Sequence, residues 1–415
     1  MNTITQIIKA RQAVSSLSGI SDEVINNVLI DLADRVDAST ENLLAANKID
    51  LDRISNNDIK YDKIKLSKKR IANITNKLRE VACEKSLIGE VIEERNMPSG
   101  IELKKVRVPI GLIGIVYEAC PSLTFNMFAL CFKSRNGVVL KGGTKASFSD
   151  QSIESMIKKS LIKNGVSPEI IQLLSPEHES VAKLMNATGL IDLLIARGSQ
   201  DLINLVRINS KVPVIEIGAG VVHIYFDKSG DIETGRNIIF NSKTHDIHEF
   251  SSLECLLIHS ERLNILPDLL KPLSEKQINI EADHQAYETL EDMYPKEYLH
   301  VAKGSSFGTE FIDYRMAVKT VDSIDEAINH IGTYGSKLSE AIVATDDEAI
   351  KCFFNEVDAA AIYANTSTAF TNSEQFGMGL GVGISTQKFH VRGPIGLKEL
   401  TSYKWLVNSD GKVRC

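Results

Sequence analysis

The chain carries one tryptophan and six cysteines in 415 residues, and its acidic side chains outnumber its basic ones. Cys83, Cys120, Cys131, Cys255, Cys352 and Cys415 show neither the close pairs of a zinc site nor the density of a disulfide framework. No metal is expected, and such sparse thiols read as those of a reduced, cytoplasmic protein. A net charge of −7 excludes a globally basic surface of the kind that binds nucleic acid. No stretch is apolar for long enough to span a bilayer, and residues 1–12 lack the apolar core of a signal peptide. No short-period repeat is visible. The dinucleotide fingerprint Gly-x-Gly-x-x-Gly after a first strand is also missing.

What is present suits two or three packed domains, with 43% of residues hydrophobic and 24% charged. Residues 4–95 read as helices. Val24, Val28, Leu29, Leu32 and Ala33 recur at helical spacing, and Ser67 can cap a second helix running to about Ala82. Asn47 to Asp58 reads as polar and turn-like. From Met97 the period changes. Pro98-Ser99-Gly100 is a turn, and Ile101 to Val108 alternates loosely as a strand. Its charge suits either an arm that pairs with another subunit or a plain solvated edge strand.

Beyond Pro109 strands and helices alternate. Strands are expected at Gly111–Tyr117, Asn136–Lys141, Ile170–Ser175, Ile191–Ala196, Val212–Ile217 and Val222–Phe226. Helices are expected at 125–133, from Ser149 or Asp150 to about Lys163, at 179–187 and at 201–209. Such units predict an α/β fold with parallel, doubly wound sheets. Ligands then bind beyond the carboxyl ends of the strands. Lys141-Gly142-Gly143 lies at such an end, as a phosphate-approaching turn or an ordinary strand-to-helix turn. Arg197-Gly198-Ser199 lies at another. A second layer follows, with strands at 253–259, 278–282, 317–321, 341–345 and 360–363, and helices at 261–271 and 323–331.

Between the layers runs Asn-Ser-Lys-Thr-His-Asp-Ile-His-Glu-Phe-Ser-Ser-Leu-Glu-Cys-Leu-Leu-Ile-His, residues 241–259. This stretch resembles the nucleophile loop of the glutamate-5-semialdehyde dehydrogenases, or γ-glutamyl phosphate reductases, a branch of the aldehyde dehydrogenase superfamily. Lys243, Thr244, Ser252, Leu253 and Glu254 match that pattern. Phe250 stands where the family places its catalytic cysteine. The resemblance extends from Asn47-Lys48-Ile49-Asp50-Leu51, through Ser305-Ser306-Phe307-Gly308-Thr309-Glu310-Phe311, to Phe376-Gly377-Met378, Gly383-Ile384-Ser385-Thr386, Arg392-Gly393-Pro394-Ile395-Gly396-Leu397 and Leu400 to Trp405.

The resemblance implies an aldehyde dehydrogenase-like fold of two doubly wound parallel-sheet domains plus a β-arm for oligomerisation. It implies a split cofactor domain at 1–96 and 109–228, an arm at 97–108 with 390–415, a catalytic domain at 229–389, and a homo-oligomer. It implies NADPH-dependent reduction of γ-glutamyl phosphate to glutamate-5-semialdehyde in proline biosynthesis. Lys141, Gly198, Ser199 and Glu310 match expected cofactor positions.

The family's scheme is covalent: a thiolate attacks the acyl phosphate, phosphate leaves, and hydride transfer completes the reduction. Phenylalanine has no nucleophile and fills the space of the acyl carbon. Further departures from the family pattern are Cys120 for arginine, Ser122 for asparagine, Asp246 for a polar or basic residue and Arg135 for glycine. Cys120 is the candidate substitute thiol, and Cys255 reads as core. Glu216, His223 and His248 are polar groups near strand ends or in the loop. Glu216 loosely matches the superfamily's general base, and a structural role suits it better. Three functions are open: the reductase, a catalytically silent paralogue that binds nucleotide or a partner, and a different chemistry on the same fold.

Overall fold

The computed structural model describes residues 2–55, 58, 61–118, 120–218, 220–247 and 249–414, so His248 and Cys415 lie outside the described residues. The chain divides into two compact units. The first is Met1–Ile217 with Gly377–Gly383 and Ile395–Cys415; the second is Gly218–Phe376 with Ile384–Pro394.

The first unit begins with helices α1 (Thr3–Val14), α2 (Asp22–Ala38), α3 (Thr40–Leu51), α4 (Tyr61–Ile64) and α5 (Lys68–Cys83). Ser67 caps α5 by accepting from the Arg70 amide, and Ile71, Ile74, Leu78 and Val81 form its buried face. The expected turn at Asn47 is instead the end of α3. Its polar residues are buried staples. The Asn47 amide donates to the Ile64 carbonyl and Ser149 Oγ, and Asp50 accepts from the Phe148 and Ser149 amides and from Ser149 Oγ. Polar side chains that satisfy buried backbone look turn-like in sequence and behave as core.

The helical reading of residues 91–95 is also overturned. These residues form strand β1 (Val91–Asn96), antiparallel to β2 (Glu102–Pro109). Gly89, at φ 88°, turns the chain before it. β2 also pairs with the C-terminal strand Thr401–Asn408, so these three strands form a sheet of their own. Lys105 Nζ sits 3.8 Å from the centre of the Tyr403 ring.

The main sheet of this unit has strands β3 (Leu112–Tyr117), β4 (Gly137–Lys141), β5 (Ile171–Leu173), β6 (Leu193–Arg197) and β7 (Val214–Ile217). All its pairs are parallel, in the order β5-β4-β3-β6-β7. Every residue of β3 and β4 is buried, as a central parallel strand requires. The strand order reverses between β3 and β6, which makes their carboxyl ends the crevice where such sheets take ligands. Helices α6 (Pro121–Lys133) and α7 (Ser147–Lys163) follow β3 and β4. The expected cap at Ser149 or Asp150 is wrong by about one turn: both residues lie inside α7 and are buried.

The second unit has strands β8 (Val222–Phe226), β9 (Leu253–His259), β10 (Asn279–Ala282), β11 (Leu299–Val301), β12 (Arg315–Val321), β13 (Ser339–Val343) and β14 (Ala361–Ala364). They form one parallel sheet, ordered β11-β10-β12-β9-β8-β13-β14. β8 is therefore part of the second sheet, whereas a boundary at 228 had assigned it to the first. The expected helix at 261–271 begins later, at Leu266, with Pro267 in its first turn. Among the described residues no helix is long and apolar enough to cross a membrane.

Candidate active site

The switch point of the first sheet is polar. Tyr117 and Arg197 are register partners at the ends of β3 and β6, and the Glu118 amide donates to the Arg197 carbonyl. Glu118 then turns its carboxylate across the gap, where Ser199 Oγ donates to Oε1 at 2.8 Å. A Cβ on Gly198 would stand 2.9 Å from Glu118 Cγ and 2.9 Å from Leu202 Cδ2, so glycine is what lets the turn close on Glu118. Lys141 ends β4 and is buried. Burial pushes its pKa down, and the neighbouring Glu118 charge opposes that shift. Among the described residues no carboxylate lies within ion-pair distance of the Lys141 amine. Lys141, Gly198 and Ser199 thus gather on one sheet end, and Glu118 is the member that residue patterns did not single out. Its place directly after β3 was the available signal.

The glycine pair after Lys141 has an internal explanation. A Cβ on Gly142 would lie 2.3 Å from Asp150 Oδ2 and 3.1 Å from the Tyr117 hydroxyl. Thr124 Oγ1 donates to Asp150 Oδ1 at 2.8 Å and is 2.7 Å from the Tyr117 hydroxyl. Burial raises the Asp150 pKa to about 7 against those hydrogen bonds. A small, open hollow lies beside this turn, lined in part by Gly143, Gln151, Leu174 and Pro176.

In the second unit Phe250 and Glu310 converge on one residue, Gly220. Glu310 Oε1 accepts from the Gly220 amide at 2.7 Å. A Cβ on Gly220 would fall 1.8 Å from the Phe250 carbonyl oxygen, so nothing but glycine fits there. The half-buried Phe250 side chain packs on an apolar cluster of Val222, Leu338 and Ile384. The loop before it is held from below by a buried pair, Lys243 and Glu254, at 3.1 Å. Burial drives Glu254 up to about 7 and Lys243 down, each restrained by the other's charge. Asp246 is exposed.

The remaining candidates fall elsewhere. Cys120 precedes α6, half-buried, with its sulfur 3.3 Å from Ser122 Oγ. Cys255 is buried in β9, and desolvation holds its thiol well above the ordinary range, which makes it a poor nucleophile. Glu216 is gripped by Arg207, whose Nε is 2.8 and 2.9 Å from its two oxygens. Arg135 follows the end of α6 at φ 58°, a left-handed position that favours glycine; it pairs with Asp22 at 2.8 Å.

Two parallel-sheet units of this topology define the class of aldehyde dehydrogenase-like proteins. The crystal structure of an acetylating aldehyde dehydrogenase from Geobacillus thermoglucosidasius shares this fold, with a TM-score of 0.73 over 100% of this chain and 97% of that one at 15% identity. A γ-glutamyl phosphate reductase from Thermotoga maritima matches at a TM-score of 0.94 and 33% identity, over 100% of both chains. The chain is 49% identical over 413 residues to the γ-glutamyl phosphate reductase of Pelodictyon phaeoclathratiforme, covering 99% of each. It is 46% identical over 416 residues to that of Legionella pneumophila strain Paris, covering 100% of each. The chain belongs to the γ-glutamyl phosphate reductase family. No family model matches it.

Proposed function

We propose that this chain is a nicotinamide-binding member of its family, directed to reduction of γ-glutamyl phosphate to glutamate-5-semialdehyde in proline biosynthesis, whose own turnover is absent or at a trace level. The observation that carries the second half is Phe250 at the position where the family resemblance places the nucleophile. A ring packed on Val222, Leu338 and Ile384 offers no electron pair to an acyl carbon. Neither thiol considered as a substitute is well suited, since Cys255 is buried and protonated and Cys120 sits before a different helix.

Cofactor retention is supported by the first unit. Lys141 offers a cation to a phosphate, preferably the extra phosphate of NADPH, and Ser199 offers a hydroxyl beside the Gly198 turn. Glu310, in the second unit, is held by the Gly220 amide, and a role toward a ribose hydroxyl would require it to give up that bond. The cofactor, when bound, supplies a hydride; the chain's part is to orient it and keep water away. A cytoplasmic homo-oligomer belongs to the same proposal, with β1, β2 and residues 401–408 as its arm. Tyr403, Trp405, Leu406 and Val407 expose apolar surface on that last strand.

Two measurements test this reading. Titration with NADPH, followed by its fluorescence, should show saturable binding below millimolar concentration. NADP reduction with glutamate semialdehyde and phosphate should be near background. A rate of roughly 1–10³ s⁻¹ would overturn the silent reading, and mapping the acyl adduct would then show whether Cys120 has taken over.

A further inference from the structure

The second unit contains a cluster that the expected reaction does not use. A register shift between Val222 and His223 sets His223 opposite Cys255 on the adjacent strand. His330, on the helix Ile324–Tyr334, covers the same face. Its ring centre is 5.5 Å from that of His223 at 77°, and its Nε2 is 4.0 Å from Cys255 Sγ. One ligand atom from each of these three residues lies within 4.8 Å of the other two.

His223 is the second observation. It is fully buried. Its Nδ1 is 3.2 Å from Glu340 Oε2, which also accepts the His223 amide at 2.8 Å. With Nδ1 donating to that carboxylate, Nε2 carries the lone pair, and this atom has no hydrogen-bond partner. A buried imidazole oriented by a carboxylate through one nitrogen and bare at the other is the outer arrangement that metal-ligating histidines carry.

We propose that His223 Nε2, Cys255 Sγ and His330 Nε2 bind a zinc-class divalent ion. Two imidazoles and one thiolate form a borderline-soft donor set that suits zinc. Metal–ligand bonds of about 2.0–2.3 Å would bring the three atoms to roughly 3.5 Å apart, so the ligands must close in by about an ångström or less. The Cys255 proton leaves to solvent on binding. The thiolate and the Glu340 carboxylate then balance the two positive charges. Among the described residues the cation whose charge reaches the cluster is Lys319, and Asp283 pairs it at 3.1 Å. The edge of His330, 9% exposed, gives the ion a way in. The ion would tie β8, β9 and the covering helix together behind the Phe250 loop. Cys255 and His330 are 75 positions apart, which is why residue spacing gave no sign of the site.

The test uses the full chain, stripped with a chelator. Zinc chloride is titrated against a chromophoric competitor, and cobalt chloride reports coordination by absorbance. One zinc per chain, a thiolate-to-cobalt charge-transfer band and a raised melting temperature are expected. Cys255→Ser should abolish the band, and Glu340→Gln should weaken zinc by roughly 10–100-fold. His330→Gln, at the rim, should also lose the band if Cys255→Ser fails to fold. Cys352→Ser, in the exposed cluster with Asp325 and Glu356, should change nothing. Absence of stoichiometric zinc binding, a band that survives Cys255→Ser or His330→Gln, or a band that disappears with Cys352→Ser overturns the proposal.

Discussion

The carboxyl ends of β3, β4 and β6 and the loop before β9 are both held from beneath by a buried acid, and the two are finished in opposite ways. At the first, Asp150 is held by neutral hydroxyls, and polar groups line the end: the buried Lys141, with no carboxylate at ion-pair distance among the described residues, and Ser199 hydrogen-bonded to Glu118. At the second, Glu254 is held by the cation Lys243, and the surface above is filled by the Phe250 ring with its carbonyl against Gly220. In the proposed function the first end receives an anion and the second lacks the atom that would act on one, so that binding and chemistry would separate in this chain.

The largest test of that contrast is catalytic. Losing a covalent nucleophile removes several orders of magnitude in rate. Phe250→Cys alone should recover little, because the resemblance expects an arginine where Cys120 stands and no acid at Asp246. Phe250→Cys with Cys120→Arg should recover more, read as NADP reduction with glutamate semialdehyde and phosphate. Equal rates for the single and double variants would show that position 120 does not serve the phosphate.

Next in size is the pair beneath the closed loop. Lys243→Met keeps the volume and removes the charge, leaving the buried Glu254 without its cation. Removing one partner of a buried ion pair costs about 3–5 kcal/mol. The cost should be greatest at pH 8 and shrink toward pH 5, because an acid with a pKa raised to about 7 is neutral there. Urea unfolding at both pH values measures it. An equal cost at the two would mean that Glu254 ionises normally when folded.

Some of this contrast could be read from the residues alone. The bounds of β8 and β9 agree with their mostly apolar runs, buried throughout, and the parallel sheets follow from repeated strand-helix units. Phe250 stood out because matching residues flank it on both sides. What stayed hidden were contacts between positions distant in the chain. Asn47 and Asp50 read as turn residues because their partners, Leu66 and Ser149, lie far along the chain. Asp150 read as a cap because an acid near a helix start usually is one. Glu310 matched a cofactor position, and only the fold shows that it meets Gly220. Local pattern identifies elements, while burial and long-range hydrogen bonds decide what a polar residue is for.

The smallest of these effects concerns the acid beneath the open end, and its sign can be worked out. Desolvation raises the Asp150 pKa from 3.8 to about 7 in the folded chain, while the bonds from Thr124 and Tyr117 pull the other way. Between those values the folded state binds more protons than the unfolded one, so stability falls as pH rises. Asp150 therefore contributes most below its unfolded pKa, and that contribution is lost by the time pH passes its folded pKa. A shift of this size corresponds to about 4 kcal/mol as an upper limit, and relaxation of the site should bring the observed value nearer to about 2 kcal/mol. Asp150→Asn removes the titration and keeps an acceptor for Thr124. The difference in stability between variant and wild type should therefore move in favour of asparagine from pH 4 to pH 7, and level off above. Thermal or urea unfolding across that range reads the slope directly. A difference independent of pH would show that Asp150 ionises at its ordinary value and that the open end rests on a charge, as the closed one does.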